Sequence, residues 1–419
     1  MVRKLIYNMQ VKKHKTCRIC GNGNLTEVLD LGKQHIQGAF VHPDYPKAPK
    51  RKVSNRIVRC NTDLHENACG LVQADSSVPP DILYRNYWYQ SGISKTMTEH
   101  LQNIAKECMS INNKEQLTVL DIAANDGTLL RGYPAHFDRM GIDPSNIAEK
   151  QKDLNIINEI FPCSKIDKKF DIITSIACFY DINDPNFFVK EIARLLKYDG
   201  IWVAEFAYWP LMLKNLAFDQ ILLEHSCHYH LSPFETLLKL NKLKLFRAEK
   251  TSTNGGSIMV YICHEDCDKY QNADWQKNLM NLRFDEFEQE LDEDATYLKF
   301  RNDVKKYLKN LFELLVKYKN ENKKVHLYGA STKMNVVLEA AGIDSTLIEY
   351  AAERSKEKWG AETLSGIKII SEDESKQMKP DAYICSLIGF KNEILLREKE
   401  YLESGGSFIF LPTMETVTK

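Results

Sequence analysis

Three groups of residues in this 419-residue chain have the types and spacing to do chemistry. The first is Glu224-His225-Ser226-Cys227-His228-Tyr229-His230, three imidazoles and a carboxylate within seven residues. Imidazole titrates near neutrality, so His225, or Glu224 beside it, could remove a proton from a substrate. The same histidines could instead ligate a metal, or only pack. The second group is Cys17-Arg18-Ile19-Cys20-Gly21, followed about forty residues on by Cys60 and by Cys69-Gly70. Four thiolates suit one tetrahedral Zn²⁺, and a shell closed by four protein ligands makes that metal structural. A glycine after a ligand allows the tight turn that aims amides at sulfur. Asn61 to Ala68 interrupt the second pair, so His65 competes with Cys69 for the fourth place. The third group is Val119-Leu120-Asp121-Ile122-Ala123-Ala124-Asn125-Asp126-Gly127, an apolar run ending in a small polar turn. Asp143-Pro144 follows about twenty residues later, the separation at which a carboxylate can accept both ribose hydroxyls of an adenosine. The G-x-G-x-x-G of dinucleotide sites is missing. One glycine and an acid in the turn suit a sulfonium with an amino acid tail, as in S-adenosylmethionine, better than a pyrophosphate.

These groups need elements to hold them. Leu117 to Ile122, Met140 to Ile142, Phe170 to Cys178 and Ile201 to Glu205 read as buried strands. Helical patterns at Ile93 to Met109 and Asn186 to Leu196 lie among them, and Leu129-Leu130 is placed to open another helix. Strands alternating with helices predict a doubly wound α/β domain, whose ligands sit at the carboxyl ends of the strands. Asn254-Gly255-Gly256-Ser257 breaks a β-like run, as at a bulge or a close approach to a ligand. Asn272 to Asn322 predicts one or two long helices. The strand-and-small-turn device then recurs in Lys324 to Lys333, with a helix from Met334 to Ala341 and strands from Leu347, Asp381 and Ser407. The turn Gly329-Ala330-Ser331-Thr332-Lys333 is suited to phosphate, though a purely scaffolding domain fits as well. The expected domains are 1–75, 76–270 and 271–419.

Composition narrows the function. With 56 basic and 57 acidic side chains the net charge is −1, which argues against nucleic acid or a membrane surface as partner. No apolar run approaches the ~18 residues of a membrane span. The N-terminal residues lack a signal-peptide core. Eleven cysteines then predict a reducing, cytoplasmic setting with thiols used for metal or packing.

Taken together, CRICG with the later CGLVQAD, YWYQSGISKTMTEH, NDGTLL, GIDPSNIA, LLEHSCHYH, NGGSIMVY, YGASTKMN and YAAERSKEKWG resemble the nucleotide-sugar C-methyltransferases. These are S-adenosylmethionine-dependent enzymes that methylate a carbon of a keto-deoxysugar, and the likeness spans roughly residues 17 to 412. It implies a small zinc-binding N-terminal domain on Cys17, Cys20, Cys60 and Cys69, a Rossmann-like class I methyltransferase domain, and a second Rossmann-like domain; a monomer is a separate expectation. It implies His225 as the base beside a 4-keto group, with Glu224, Tyr87 and Tyr89 around the reacting atoms. Asp121, Ala123, Asn125, Asp126, Asp143, Pro144 and Ala177 would hold the cofactor. Asn254, Ser331, Thr332, Lys333, Glu353 and Lys358 would hold the nucleotide-linked acceptor. A hydroxyl or amine acceptor, or a binding protein without activity, would use the same sites. Six positions depart from the pattern: Leu222-Leu223 stand for a tyrosine and a histidine, Ile388-Gly389 for a tryptophan-histidine pair, Met259 for an arginine, and Ala123 for a glycine.

Overall fold

The computed structural model describes residues 11–38, 51–85, 87, 89–386 and 391–419. The chain divides into two compact units. The first comprises Met1–Thr26, Val58–Pro210 and Glu224–Glu293, the second Glu27–Ile57, Leu211–Leu223 and Asp294–Lys419. Both α/β expectations are met.

Among the described residues, five strands precede residue 80: β1 (Lys12–Lys13), β2 (Leu25–Gln34), β3 (Val53–Cys60), β4 (Val72–Ala74) and β5 (Ser76–Ser77). The first unit's main strands are β6 (Thr118–Ile122), β7 (Asp138–Ile142), β8 (Ile156–Ile157), β9 (Phe170–Ile176) and β10 (Leu196–Ala207), then, after the short β11 (Cys227–His228), β12 (Leu243–Thr251) and β13 (Ser257–His264). They form a seven-stranded sheet in the order β12-β13-β10-β9-β6-β7-β8. β6 pairs in parallel with β7 and β9, and β9 with β10, whereas β13 runs antiparallel to both β10 and β12. The central strands are covered on both faces, which is why they read as unbroken apolar runs. The helix Lys95–Ile111 sets Leu101, Ile104, Ala105 and Cys108, spaced three and four apart, against Val119, Ile172, Ile201 and Val203.

Two expectations change here. No long helix follows the turn after β6; Leu130–Gly132 form a single 3₁₀ turn. Pro134 drives Tyr133 out of the helical region, and its φ,ψ of −90°,148° is extended. The Arg139 guanidinium then donates to the carbonyls of Leu130 and Tyr133 at 3.2 and 3.1 Å. The strand expected from Ile201 begins at Leu196, directly after the helix Pro185–Leu195, with a register shift between Leu196 and Ile201.

The second unit carries β14 (Val325–Tyr328), β15 (Tyr350–Glu353), β16 (Lys368–Ser371), β17 (Ala382–Cys385), β18 (Ser407–Phe410) and β19 (Glu415–Val417). Their order is β16-β15-β14-β17-β18-β19, parallel but for β19. The strand expected from Leu347 starts three residues later, and β16 and β19 went unforeseen, being four and three residues long. The charged stretch resolves into two helices, Ala273–Glu288 and Asp294–Asn320.

Candidate active site and metal centre

The metal site is built on two knuckles. Gly21 and Gly70 adopt φ of 75° and 80° directly after Cys20 and Cys69, a region that costs a Cβ-bearing residue about 1–2 kcal/mol. The Ile19 amide donates to Cys17 Sγ at 3.4 Å. The sulfurs of Cys17, Cys20, Cys60 and Cys69 all lie within 4.8 Å of one another, with Cys17–Cys69 at 3.4 Å and Cys20–Cys60 at 3.5 Å. Four sulfurs about 2.3 Å from one Zn²⁺ would stand roughly 3.8 Å apart, so the residues present fit a structural zinc. His65 is outside the set: it is exposed, and its Nδ1 accepts from the Asn67 amide at 3.1 Å.

The cofactor turn is fastened by side chains rather than by a helix. Ala123 keeps a glycine-type backbone, φ 61°, although the glycine itself is replaced; Asn125 and Gly127 also have positive φ, 51° and 76°. The Ala123 amide donates to the Ile142 carbonyl at 2.8 Å. Asp143, at the end of β7, accepts from the Asn125 amide at 2.9 Å and from the Ser145 amide at 2.8 Å. Each of its oxygens keeps a second lone pair for a ribose hydroxyl. The preceding loop clamps the far side: Gly92 N–H donates to Asp126 at 2.7 Å, Ser91 N–H to Asn125 Oδ1 at 3.1 Å, and the Asn125 amide group to the Tyr89 carbonyl at 3.0 Å. Asp121 points into the sheet, buried, where it accepts from Thr174 at 2.6 Å; burial pushes its carboxyl up to about 7. Ala177, φ 54°, ends β9 with its amide on the Glu205 carbonyl at 2.8 Å. Pro144 packs beside the same turn and offers its carbonyl to Arg85 at 3.5 Å. An open, small-residue turn with a paired acid fits S-adenosylmethionine. Removing that acid by Asp143→Ala is expected to raise the cofactor's Kd at least about tenfold, or ~1.4 kcal/mol. Calorimetry giving an unchanged Kd would refute this role.

The histidine stretch splits into unlike parts. His228 and His230 are buried, and burial, helped by the charges of Arg18 and Arg59 respectively, pushes each imidazole down to about 3. Such imidazoles stay neutral and are too weak as bases for neutral-pH catalysis. Nor do the three gather around a metal: among the described residues only the four cysteines form a ligand cluster. His225 differs. Its ring packs on Tyr180 with centroids 4.2 Å apart, and its Nε2 lies 3.9 Å from Asp181 Oδ1. Burial and the negative charge of Glu224 hold Asp181 well above the usual carboxylate range. Burial, and then the charges of Glu224, Asp181 and Asp143, push the Tyr87 hydroxyl well up. Tyr84 meets Tyr87 edge to face at 6.2 Å and donates to the Glu224 carbonyl at 3.4 Å. Tyr89 is brought to the cofactor turn instead, with 48% of its surface exposed. Sequence reasoning missed Tyr180 and Asp181. The signal was available, because they directly follow β9 at the carboxyl edge where such folds place ligands.

The second unit repeats the first turn closely. The Gly329 amide donates to the Ala352 carbonyl at 2.7 Å, and Glu353, ending β15, accepts from the amides of Ala330 and Ser355, both at 2.9 Å. Ser331 caps the helix Thr332–Ala341 by accepting from the Met334 amide at 3.1 Å. Lys358 reaches the Ala330 carbonyl at 2.8 Å and Glu353 at 3.4 Å. Burial lowers the Lys333 ammonium, and Asp219 opposes that shift. Asn254 lies in the turn Thr253–Gly255, where its side chain is outside the described atoms; Ile388-Gly389 are outside the described residues.

Comparison with known proteins agrees with this architecture. Family models described as a zinc binding domain, a methyltransferase domain and a C-methyltransferase C-terminal domain match residues 17–84, 89–246 and 252–412. C-methyltransferase NovU of Streptomyces niveus is 25% identical over 408 residues, 94% of each chain. An S-adenosylmethionine-dependent methyltransferase from Clostridium acetobutylicum is 13% identical, covering 40% of this chain and 92% of its own, with a TM-score of 0.34. The PH0226 protein of Pyrococcus horikoshii is 20% identical over 42% of this chain and 94% of its own, at 0.35. With all three models matched in order, the chain belongs to the S-adenosylmethionine-dependent C-methyltransferases built from a zinc-binding, a methyltransferase and a C-methyltransferase C-terminal domain.

Proposed function

We propose that the acceptor is a nucleotide-linked 4-keto-deoxysugar, methylated at the carbon next to the carbonyl. The observation that carries this is His225, a buried imidazole packed on Tyr180 with its Nε2 3.9 Å from Asp181, in the same unit as the Asp143 turn. The bound cofactor supplies an electrophilic methyl group. A neighbouring carbonyl acidifies the sugar C–H, and His225 takes that proton. The electron pair passes to the carbonyl oxygen as an enolate, whose carbon then takes the methyl. Glu224 holds the sugar or orients His225, and Tyr87 lies against the reacting groups with Tyr89 at the cofactor side. Ser331, Thr332, Lys333, Glu353 and Lys358, with Asn254, are assigned to the acceptor's nucleotide end. The doubled acid-and-amide turn supports that assignment, since the same device is assigned the cofactor's nucleoside in the first unit. The setting we assign is reducing and cytoplasmic, with Cys17, Cys20, Cys60 and Cys69 kept as thiolates for the metal. Among the described residues no helix is long and apolar enough to cross a membrane.

The test is mass spectrometry after incubation with S-adenosylmethionine and 4-keto-deoxyhexose diphosphonucleosides. A gain of one methyl, stable to mild acid and carbon-linked by fragmentation, is the expected result. An oxygen- or nitrogen-linked methyl, or none with any of them, would overturn the reading.

A further inference from the structure

The carboxyl edge of the first unit's sheet carries a second imidazole–carboxylate pair, contributed by elements 105 residues apart. Ile201, Val203 and Glu205 alternate on the face of β10 that the helix Lys95–Ile111 covers. The first two are apolar and packed under the helix; Glu205 occupies the next position toward the carboxyl end. It is 1% exposed, and a carboxylate so buried demands partners. It has them: His100 Nε2 at 2.7 Å and the Thr251 hydroxyl, which donates at 2.6 Å. Thr253, in the turn that opens Asn254-Gly255-Gly256, lies 3.3 Å from the same imidazole nitrogen. The His100 side chain is 26% exposed, and its Nδ1 has no hydrogen-bond partner among the described residues. The Glu205 carbonyl receives the Ala177 amide at 2.8 Å, so the pair sits directly beside the end of β9, on the strand next to it. Three residues farther along, Tyr180 carries the His225 ring.

We propose that His100, held by Glu205 through one ring nitrogen and partly exposed, donates a hydrogen bond from the other to the acceptor's carbonyl oxygen and stabilises the enolate that forms when His225 removes the adjacent proton. The proposal rests on the C-methylation of a keto-sugar argued above. Enolisation needs two groups, a base at carbon and a donor at oxygen, and a site with a base alone leaves the developing oxyanion bare. The bookkeeping is simple. The C–H bond breaks and its proton goes to His225; the former C–H pair becomes a C=C bond while the carbonyl π pair moves to oxygen. The His100 Nδ1–H bonds that oxygen without giving up its proton. The enolate pair then forms the new C–C bond as the methyl leaves sulfur with the sulfur keeping its bonding pair, and the proton on His225 passes to solvent. The hydrogen bond to Glu205 favours the imidazolium, which raises the His100 pKa above its ordinary value. Glu205 is the charged group that faces the ring from β10; Thr251 and Thr253 are the neutral polar groups that face the pair from the end of β12 and the following turn.

The experiment uses the full chain and 4-keto-deoxyhexose diphosphonucleosides deuterated next to the carbonyl, following loss of deuterium to solvent and methyl transfer together. His100→Gln should slow both by about 10²-fold or more, the usual cost of one oxyanion donor, with the cofactor's Kd unchanged. A donor that must be cationic is lost as pH rises through its pKa, so wild-type kcat should fall on the alkaline side. Glu205→Gln removes the partner that favours the cation and should move that alkaline limb to lower pH, a displacement that loosened packing would not produce. Deuterium loss and transfer within about threefold of wild type in His100→Gln, or an alkaline limb unmoved in Glu205→Gln, would overturn the role of His100 alone. No deuterium loss from wild type with any acceptor that is methylated would overturn the enolate reading, and this proposal with it.

Discussion

His225→Asn is expected to lower kcat by about 10²–10⁴-fold, the range a positioned general base contributes, while cofactor affinity stays as in the wild type. Asparagine keeps a polar amide in place of the near side of the ring but cannot accept the proton. The loss should be hard to compensate from nearby. His228 and His230 are the nearest alternatives in sequence, and burial with a neighbouring arginine leaves each of them too weakly basic. Asp181 stands 3.9 Å away, but burial and the charge of Glu224 favour its protonated form. The measurement is single-turnover methyl transfer alongside cofactor calorimetry. A His225→Asn protein transferring methyl within about threefold of wild type would remove His225 from the chemistry, given the size of the effect expected of a base.

The second large effect is on folding. Stripping zinc with a strong chelator, or substituting Cys60→Ser, is expected to melt the segment around the two knuckles. Structural zinc in small domains carries an apparent binding free energy of about 10–16 kcal/mol near neutral pH, comparable to the entire ~5–15 kcal/mol stability of an ordinary domain. Cys60 ends the eight-residue β3, but the strands that follow Cys69 are short: β4 and β5 have three and two residues. Colorimetric titration should release one zinc per chain, and proteolysis should then cut within residues 11–77. Acid should mimic the chelator, since protonating thiolates releases the metal. A purified protein with no zinc by elemental analysis, or with Cys17, Cys20, Cys60 and Cys69 all alkylated rapidly in the native state, would defeat this expectation.

Local signals in the chain survived best. The turn Ala123 to Gly127 and its acid Asp143 are close in sequence, so their relation could be read from spacing, and the structure joins them by a 2.9 Å bond. Cys17 and Cys20 were legible for the same reason. Cys69 against His65 was not, because only the folded path of the loop after Cys60 decides which side chain turns inward. The apolar pair Leu129-Leu130 suggested a helix; Pro134 and the Arg139 guanidinium end it after one turn, a tertiary effect that periodicity does not carry. His225 was legible as the base from its place beside Glu224, but the neutrality of His228 and His230 follows only from what surrounds them. Asp181 and the His100–Glu205 pair escaped entirely. Each joins distant strands and helices at one edge of the sheet, and no window along the chain contains both partners.

The doubled latch, Asp143 on Asn125 and Ser145 and Glu353 on Ala330 and Ser355, has an energetic consequence. Both turns are kept in shape by bonds internal to the protein. Fixing one residue's backbone costs roughly 1–2 kcal/mol, and here folding has already met that cost for the residues a nucleoside would touch. A ligand entering either turn meets a pre-organised receptor, so little of its interaction energy is diverted to freezing the loop, and what remains appears as affinity.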